Sequence, residues 1–312
     1  MPNRLRPLPV SLPRAGCRHL GVGLIGAALV VFWLALSLIG PGAAFAQSSQ
    51  PRTVSFPSAD GKTTLTGYLF APEGKPKTAP AVVLMHGRAG AYSPLAKGNY
   101  SAVTISKPIR SWAELWAGQG YWALVVDSFG PRGYPGGVVT GNNSGHTLPI
   151  DEIGVRPLDA YGALRYLRAS PRIKGDRIAL QGWSNGGSAV LASMSSKGLD
   201  IAELKGGRGF RAALVLYPGC GLQGEFKDGY APYAPVRVFI GSHDEETSPA
   251  ACEKLVAASK AQGGDIAISV LEGATHDFDD PARGHPEVPA NAAATAETRK
   301  QAVALFAAAL AR

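Results

Sequence analysis

Short, uninterrupted apolar runs separated by helix-patterned stretches constrain this chain more than any other feature. Residues 80–85 (PAVVLM), 121–126 (YWALVV), 177–181 (RIALQ), 213–217 (ALVLY), 236–240 (VRVFI) and 265–271 (DIAISVL) lack the apolar–polar alternation of a sheet with one wet face. Parallel strands covered by helices on both faces read this way. Between the runs, apolar residues such as Leu158, Leu164 and Leu167, and Leu191 after Ser184, fall at helical spacing. Strand–helix alternation over this length predicts an α/β fold with a mostly parallel central sheet and helices on both faces.

The pattern differs at the start. Residues 53–56 and 64–70 alternate and are separated by Ala59-Asp60-Gly61-Lys62, which predicts an antiparallel hairpin. Near the end, Ser248-Pro249 supplies a cap and a first helical proline for a helix over 250–262. Residues 292–311 predict a closing Ala-rich helix with Asn291 as its cap. The glycine-rich stretch 128–147 has no periodicity and is either a functional loop or a surface excursion.

At 312 residues, 46% hydrophobic and 17% charged, the chain can bury a sizeable core. Its formal charge of +8 would suit a polyanionic partner. However, four of the 31 basic residues lie within the first 46 residues, which hold no acidic residue, so the remainder carries +4 against 23 acidic residues. No basic run marks a nucleic-acid surface. Residues 1–46 combine arginines, an apolar run over 21–39 and Ala44-Phe45-Ala46 before Gln47. They read as a secretory signal peptide, with an uncleaved anchor as the alternative. Residues 47–52 form a short tether, and residues 53–312 are expected to be one exported domain, periplasmic or secreted. Outside the leader only Cys220 and Cys252 remain, either a disulfide pair or two buried thiols.

The chemistry concentrates at strand ends. Gly182-Trp183-Ser184-Asn185-Gly186 follows one apolar run and opens a helix. A serine hydroxyl is a weak nucleophile unless a tight turn projects it towards a base, and small residues on both sides let strand and helix approach. An ordinary helix cap is the bland alternative for Ser184. Asp244 lies just past the 236–240 run and His276 just past the 265–271 run, in the chain order serine, acid, histidine. His276 is expected to be the base and Asp244 its orienting acid, with Glu245 the competing acid. His86, in His86-Gly87-Arg88-Ala89-Gly90, reads as a scaffold residue of its loop. The oxyanion-binding N–H groups are expected from Arg88 and Asn185.

Together with His86-Gly-Arg-Ala-Gly90, Val126-Asp-Ser-Phe-Gly-Pro-Arg-Gly133, Leu216-Tyr-Pro-Gly-Cys-Gly221, residues 241–249 with Asp244, and Gly273-Ala-Thr-His276, the serine turn resembles the dienelactone hydrolase family of α/β-hydrolases. The resemblance runs from about Val54 to the C-terminus. It implies a monomeric or weakly associated hydrolase whose triad falls on Ser184, Asp244 and His276, and it supports pairing of Cys220 with Cys252. Members acting on dienelactone itself carry a cysteine nucleophile and a glutamate in the loop after the strand matching PAVVLM. This chain has Ser184 and His86-Gly87 in those regions, which implies a broader carboxylic ester substrate.

The expected activity is therefore ester hydrolysis through an acyl-enzyme. Acyl transfer or peptide cleavage by the same residues is the alternative, and a catalytically silent binding module is the reading from a different class. Arg88 and Arg132, both after strand ends, are candidates for meeting a substrate carboxylate, against structural pairing. No zinc-type Cys/His spacing and no phosphate- or dinucleotide-binding glycine pattern occurs, so no metal or cofactor is expected. The expected partner is a small-molecule ester, not nucleic acid, with membrane contact only through residues 21–39 if the leader is retained.

Overall fold

The apolar runs become the strands of a single sheet. The structure, a computed structural model, describes residues 50–138, 150–195, 201–280 and 287–311. The strands are β1 (Arg52–Pro57), β2 (Thr64–Phe70), β3 (Ala79–Met85), β4 (Trp122–Asp127), β5 (Ile173–Trp183), β6 (Ala213–Leu216), β7 (Val236–Gly241) and β8 (Ile266–Leu271). They lie in the order β1-β2-β4-β3-β5-β6-β7-β8. β1 pairs antiparallel with β2 and β2 antiparallel with β4, and all other pairs are parallel. The hairpin turn is held by Asp60, whose carboxylate accepts the N–H groups of Lys62 and Thr63 at 2.7 and 2.9 Å.

The helices are α1 (Lys107–Gly118), α2 (Arg156–Arg168), α3 (Asn185–Ser193), the short α4 (Ala202–Lys205), α5 (Pro249–Ala261) and α6 (Pro289–Leu310). α1 was not anticipated, although Ile109, Trp112, Ala113 and Trp116 form its buried stripe at helical spacing. Ser248 caps α5 as expected, accepting the N–H of Ala251. α6 begins earlier than expected, because Pro289 has its φ preset for a first helical turn. Asn291 is accordingly not a cap. Its amide faces away from the helix backbone, accepting the N–H of Thr275 at 3.0 Å and donating to Thr275 Oγ1 at 2.9 Å. That pins α6 to the residue before His276.

Cys220, after β6, and Cys252, in α5, form a disulfide with Cα atoms 5.0 Å apart. Closing a loop of this length removes unfolded-state freedom equivalent to about 3 to 4 kcal/mol. Of the glycine-rich stretch, Gly130–Arg132 form one 3-10 turn ended by Gly133 at φ +89°. Residues 139–149 fall outside the described residues, as does the expected leader.

Candidate active site

The carboxyl ends of β5, β7 and β8 bring Ser184, Asp244 and His276 together. Ser184 stands between β5 and α3 at φ +48°, ψ −121°, a conformation that costs a non-glycine residue about 1 to 3 kcal/mol. The turn is as tight as its sequence suggests. A Cβ on Gly182 would meet the Gly186 carbonyl, and one on Gly186 would run into the carbonyls of Met85 and His86.

Ser184 Oγ lies 3.1 Å from His276 Nε2. His276 Nδ1 lies 2.9 and 3.0 Å from the two oxygens of Asp244. A ring nitrogen facing a carboxylate carries the proton, so Nδ1–H donates to Asp244 and Nε2 is left to accept from the serine hydroxyl. Asp244 is further fixed by the N–H groups of Glu246 and Thr247 at 3.0 and 2.7 Å and by the Thr247 hydroxyl at 2.9 Å. Burial raises the Asp244 pKa, but its bond to His276, the charge there and the Thr247 bonds outweigh this and lower it. Burial likewise depresses His276, yet the Asp244 bond and the charges of Asp277, Asp244 and Glu246 raise it above the ordinary value. Glu245, the competing acid, does not reach the ring; it accepts the backbone N–H of His276 at 3.2 Å.

The loop after β3 faces the serine. A Cβ on Gly87 would come 3.5 Å from Ser184 Cβ, so the backbone passes close to Ser184. Among the described residues, the N–H groups of Arg88 and Asn185 donate to no protein acceptor. The Arg88 carbonyl accepts the N–H of Val138 at 3.0 Å, so the described part of the glycine-rich stretch packs on this loop. His86 is a scaffold residue: it is fully buried, and Nε2 accepts the N–H of Ser128 at 3.2 Å while Nδ1 faces the Gly87 carbonyl at 2.7 Å. Burial, together with the Arg156 charge, lowers its pKa well below the usual value.

The two candidate arginines part company. The half-exposed Arg88 side chain donates to Glu246 at 3.1 Å, and both line a cavity of about 290 Å³ that opens onto Ser184 and His276. Tyr92, Ile109, Val138 and Trp183 give this cavity apolar walls, and Asp277 and Asp280 add carboxylates. Arg132 does not line it. Its guanidinium holds Asp159 with two bonds at 2.8 and 2.9 Å, Asp60 at 3.1 Å and the Ser128 carbonyl at 2.8 Å. The expectation that Arg132 meets substrate is thus corrected, because its donors are consumed in structural pairs.

Residues beyond the sequence expectations also shape the site. Tyr217 packs edge-on against the His276 ring at 4.7 Å and donates its hydroxyl to the buried Asp279 at 2.5 Å. Asp279 also accepts the indole N–H groups of Trp112 and Trp183 at 2.7 and 2.9 Å. Asp279 follows His276 by three residues in a Asp-Phe-Asp-Asp run, the one sequence signal available for it. Arg156, also fully buried, has no such signal.

The family model of the dienelactone hydrolase family matches residues 65–310. The chain belongs to the dienelactone hydrolase family. Solved members of this architecture align over most of its length. A dienelactone hydrolase-like promiscuous phosphotriesterase from metagenomic libraries is 21% identical, with a TM-score of 0.60 over 83% of this chain and 97% of that one. Thermogutta terrifontis esterase 2, phosphorylated by paraoxon, is 18% identical, with a TM-score of 0.58 over 84% and 95%. A Mycobacterium tuberculosis puromycin-hydrolyzing peptidase is 19% identical, with a TM-score of 0.59 over 84% of this chain but 40% of its own. At these identities the likeness is one of fold. No curated protein matches the chain by sequence.

Proposed function

We propose that this member of the dienelactone hydrolase family is a serine hydrolase that cleaves small carboxylic esters through an acyl-enzyme. The observation that carries the reading is the chain of contacts from Ser184 Oγ to His276 Nε2 and from His276 Nδ1 to Asp244.

The steps follow from that chain. Ser184 Oγ attacks the ester carbonyl while His276 Nε2 takes its proton, and Asp244 stabilises the resulting imidazolium. The carbonyl oxygen, now an oxyanion, receives the N–H groups of Arg88 and Asn185; the latter also sits at the start of α3, where the helix dipole favours negative charge. His276 then gives its proton to the departing alcohol. Water, deprotonated by the same nitrogen, attacks the acyl-Ser184 ester and releases the carboxylic acid and free serine. The cavity volume of about 290 Å³ and its apolar wall suit a short acyl or alkyl group.

Replacing Ser184 with Ala tests this directly. The folded variant should lose hydrolysis of p-nitrophenyl acetate and should not be labelled by paraoxon, the reagent that phosphorylates the related esterase. In the native chain paraoxon should phosphorylate Ser184 with release of one nitrophenol. Retained turnover in Ser184→Ala would overturn the assignment. Product analysis with added alcohols or amines separates hydrolysis from acyl transfer.

The same reading takes residues 1–46 as a cleaved secretory leader and residues 53–312 as an exported catalytic domain. The basic–apolar–small residue order of the leader and the Cys220–Cys252 disulfide support an oxidising destination. N-terminal sequencing of the mature protein should find a start near Gln47; a start at Met1 would exclude cleavage.

A further inference from the structure

Arg156 opens α2 and is fully buried, yet among the described residues no carboxylate contacts its guanidinium. Buried guanidinium groups usually pair with an anion, because burial strips a charge of its water. Here the acceptors are neutral and come from two separate loops. Nη1 donates to Asn185 Oδ1 at 2.6 Å, and Nη2 donates to the His86 carbonyl at 2.7 Å. The guanidinium lies over the Phe129 ring at 4.9 Å, and Nε has no partner among the described residues. Burial lowers its pKa to about 10, which leaves it charged at neutral pH.

The two acceptors are informative because of where they sit in the chain. Asn185 bears one of the two proposed oxyanion donors on its own backbone. The His86 carbonyl lies in the peptide immediately before the Gly87–Arg88 peptide, which bears the other. The Asn185 amide is also oriented from its far end, Nδ2 donating to Glu152 Oε2 at 3.2 Å. One rigid fork therefore spans the elbow and the loop after β3, and a planar guanidinium can do this where a point charge cannot.

Building on the proposed hydrolysis, we infer that Arg156 is a positioning residue: its guanidinium bridges Asn185 and His86 and thereby sets the separation of the two backbone N–H groups that receive the oxyanion. A residue that only supports the fold would alter thermal stability and leave turnover by the folded enzyme intact. A positioning residue alters the transition state and leaves substrate binding nearly untouched.

Arg156→Lys in the full chain, assayed with p-nitrophenyl acetate well below its melting temperature, separates these. Misplacing donors by about an ångström should lower kcat on the order of 10²-fold with KM within about 2-fold. The Ki of a phenyl trifluoromethyl ketone, whose adduct with Ser184 places an oxyanion on the same donors, should rise in proportion. If the variant does not fold, Asn185→Ala, which frees one end of the bridge at a half-buried position, should lower kcat about 10-fold at unchanged KM. A kcat within about 3-fold of the native value in whichever variant folds overturns the assignment. Paraoxon labelling of the native chain distinguishes the two levels of failure. A labelled, active native enzyme indifferent to Arg156→Lys removes only the positioning role. A native chain that is neither labelled nor active removes the serine hydrolase reading and this inference with it.

Discussion

Asp279 accepts the indole N–H of Trp183 at 2.9 Å, which ties the loop presenting His276 to the residue immediately before Ser184. The same carboxylate takes Trp112 Nε1 and the Tyr217 hydroxyl, so three donors converge on one buried group. Asp279→Asn keeps the size but, with its one carbonyl oxygen on the two indoles, turns its NH₂ towards the Tyr217 hydroxyl, which must then give up its donor bond and accept. Stability should fall by about 1 to 3 kcal/mol in urea unfolding, since a buried donor–acceptor match is lost at the Tyr217 hydroxyl. Turnover should fall too, as Tyr217 and Trp183 lose their common anchor. An unchanged unfolding midpoint would show that the convergence is energetically idle.

The backbone of Ser184 gives a second expectation. At φ +48° glycine is at ease and alanine is not. Both Ser184→Gly and Ser184→Ala remove the hydroxyl, so both should be inactive. Ser184→Gly should nevertheless be the more stable by about 1 to 2 kcal/mol, the strain a side chain carries here. Calorimetry of the pair decides it: equal melting temperatures would mean the turn holds no strain.

The acid limb of the pH profile follows from His276. As the proposed base it must be neutral, so kcat/KM should rise with pH through its pKa. Burial lowers that pKa, but the Asp244 bond and the charges of Asp277, Asp244 and Glu246 raise it overall, placing the rise on the alkaline side of an ordinary histidine. Glu246 Oε2 stands 3.7 Å from His276 Nε2 and favours the imidazolium. Glu246→Gln should therefore shift the rise to lower pH. A shift to higher pH would contradict the electrostatic account.

Arg132 should behave as a stability residue. Arg132→Met leaves the Asp159 carboxylate, whose side chain is 0% exposed, without its paired cation. The expected loss is about 3 to 5 kcal/mol, the range for breaking a buried ion pair from one side. The ratio of activities on acidic and neutral esters, measured on the folded variant, should match that of the native enzyme. A changed ratio would restore Arg132 as a substrate contact.

Most of the fold is legible in the sequence because strands buried on both faces must be largely apolar, and β3, β6 and all of β4 except its last residue, Asp127, are. Ser184, Asp244 and His276 are legible for a related reason: each stands a few residues at most past the carboxyl end of a strand, where the sheet brings strand ends together. Arg156 and Asp279 are not. A charged residue carries no mark of burial in its own sequence, and only the loops that converge on it in space reveal that water is excluded. Arg132 misleads in the opposite sense. Its place after β4 suggests access to substrate, but Asp60 and Asp159, distant in sequence, occupy its donors. Asn291 similarly fits a cap by residue type, while Pro289 starts the helix before it.

The Cys220–Cys252 bridge spans the segment that carries Asp244. Within that segment Gln223, Gly224, Glu225, Lys227 and Asp228 are exposed, which makes it an accessible site for a protease. A single cut there leaves two pieces that are still one covalent molecule, each bonded into the sheet through β6 or β7. This amounts to tolerance of nicking: one band on a non-reducing gel, two after reduction, and Asp244 still held beside His276.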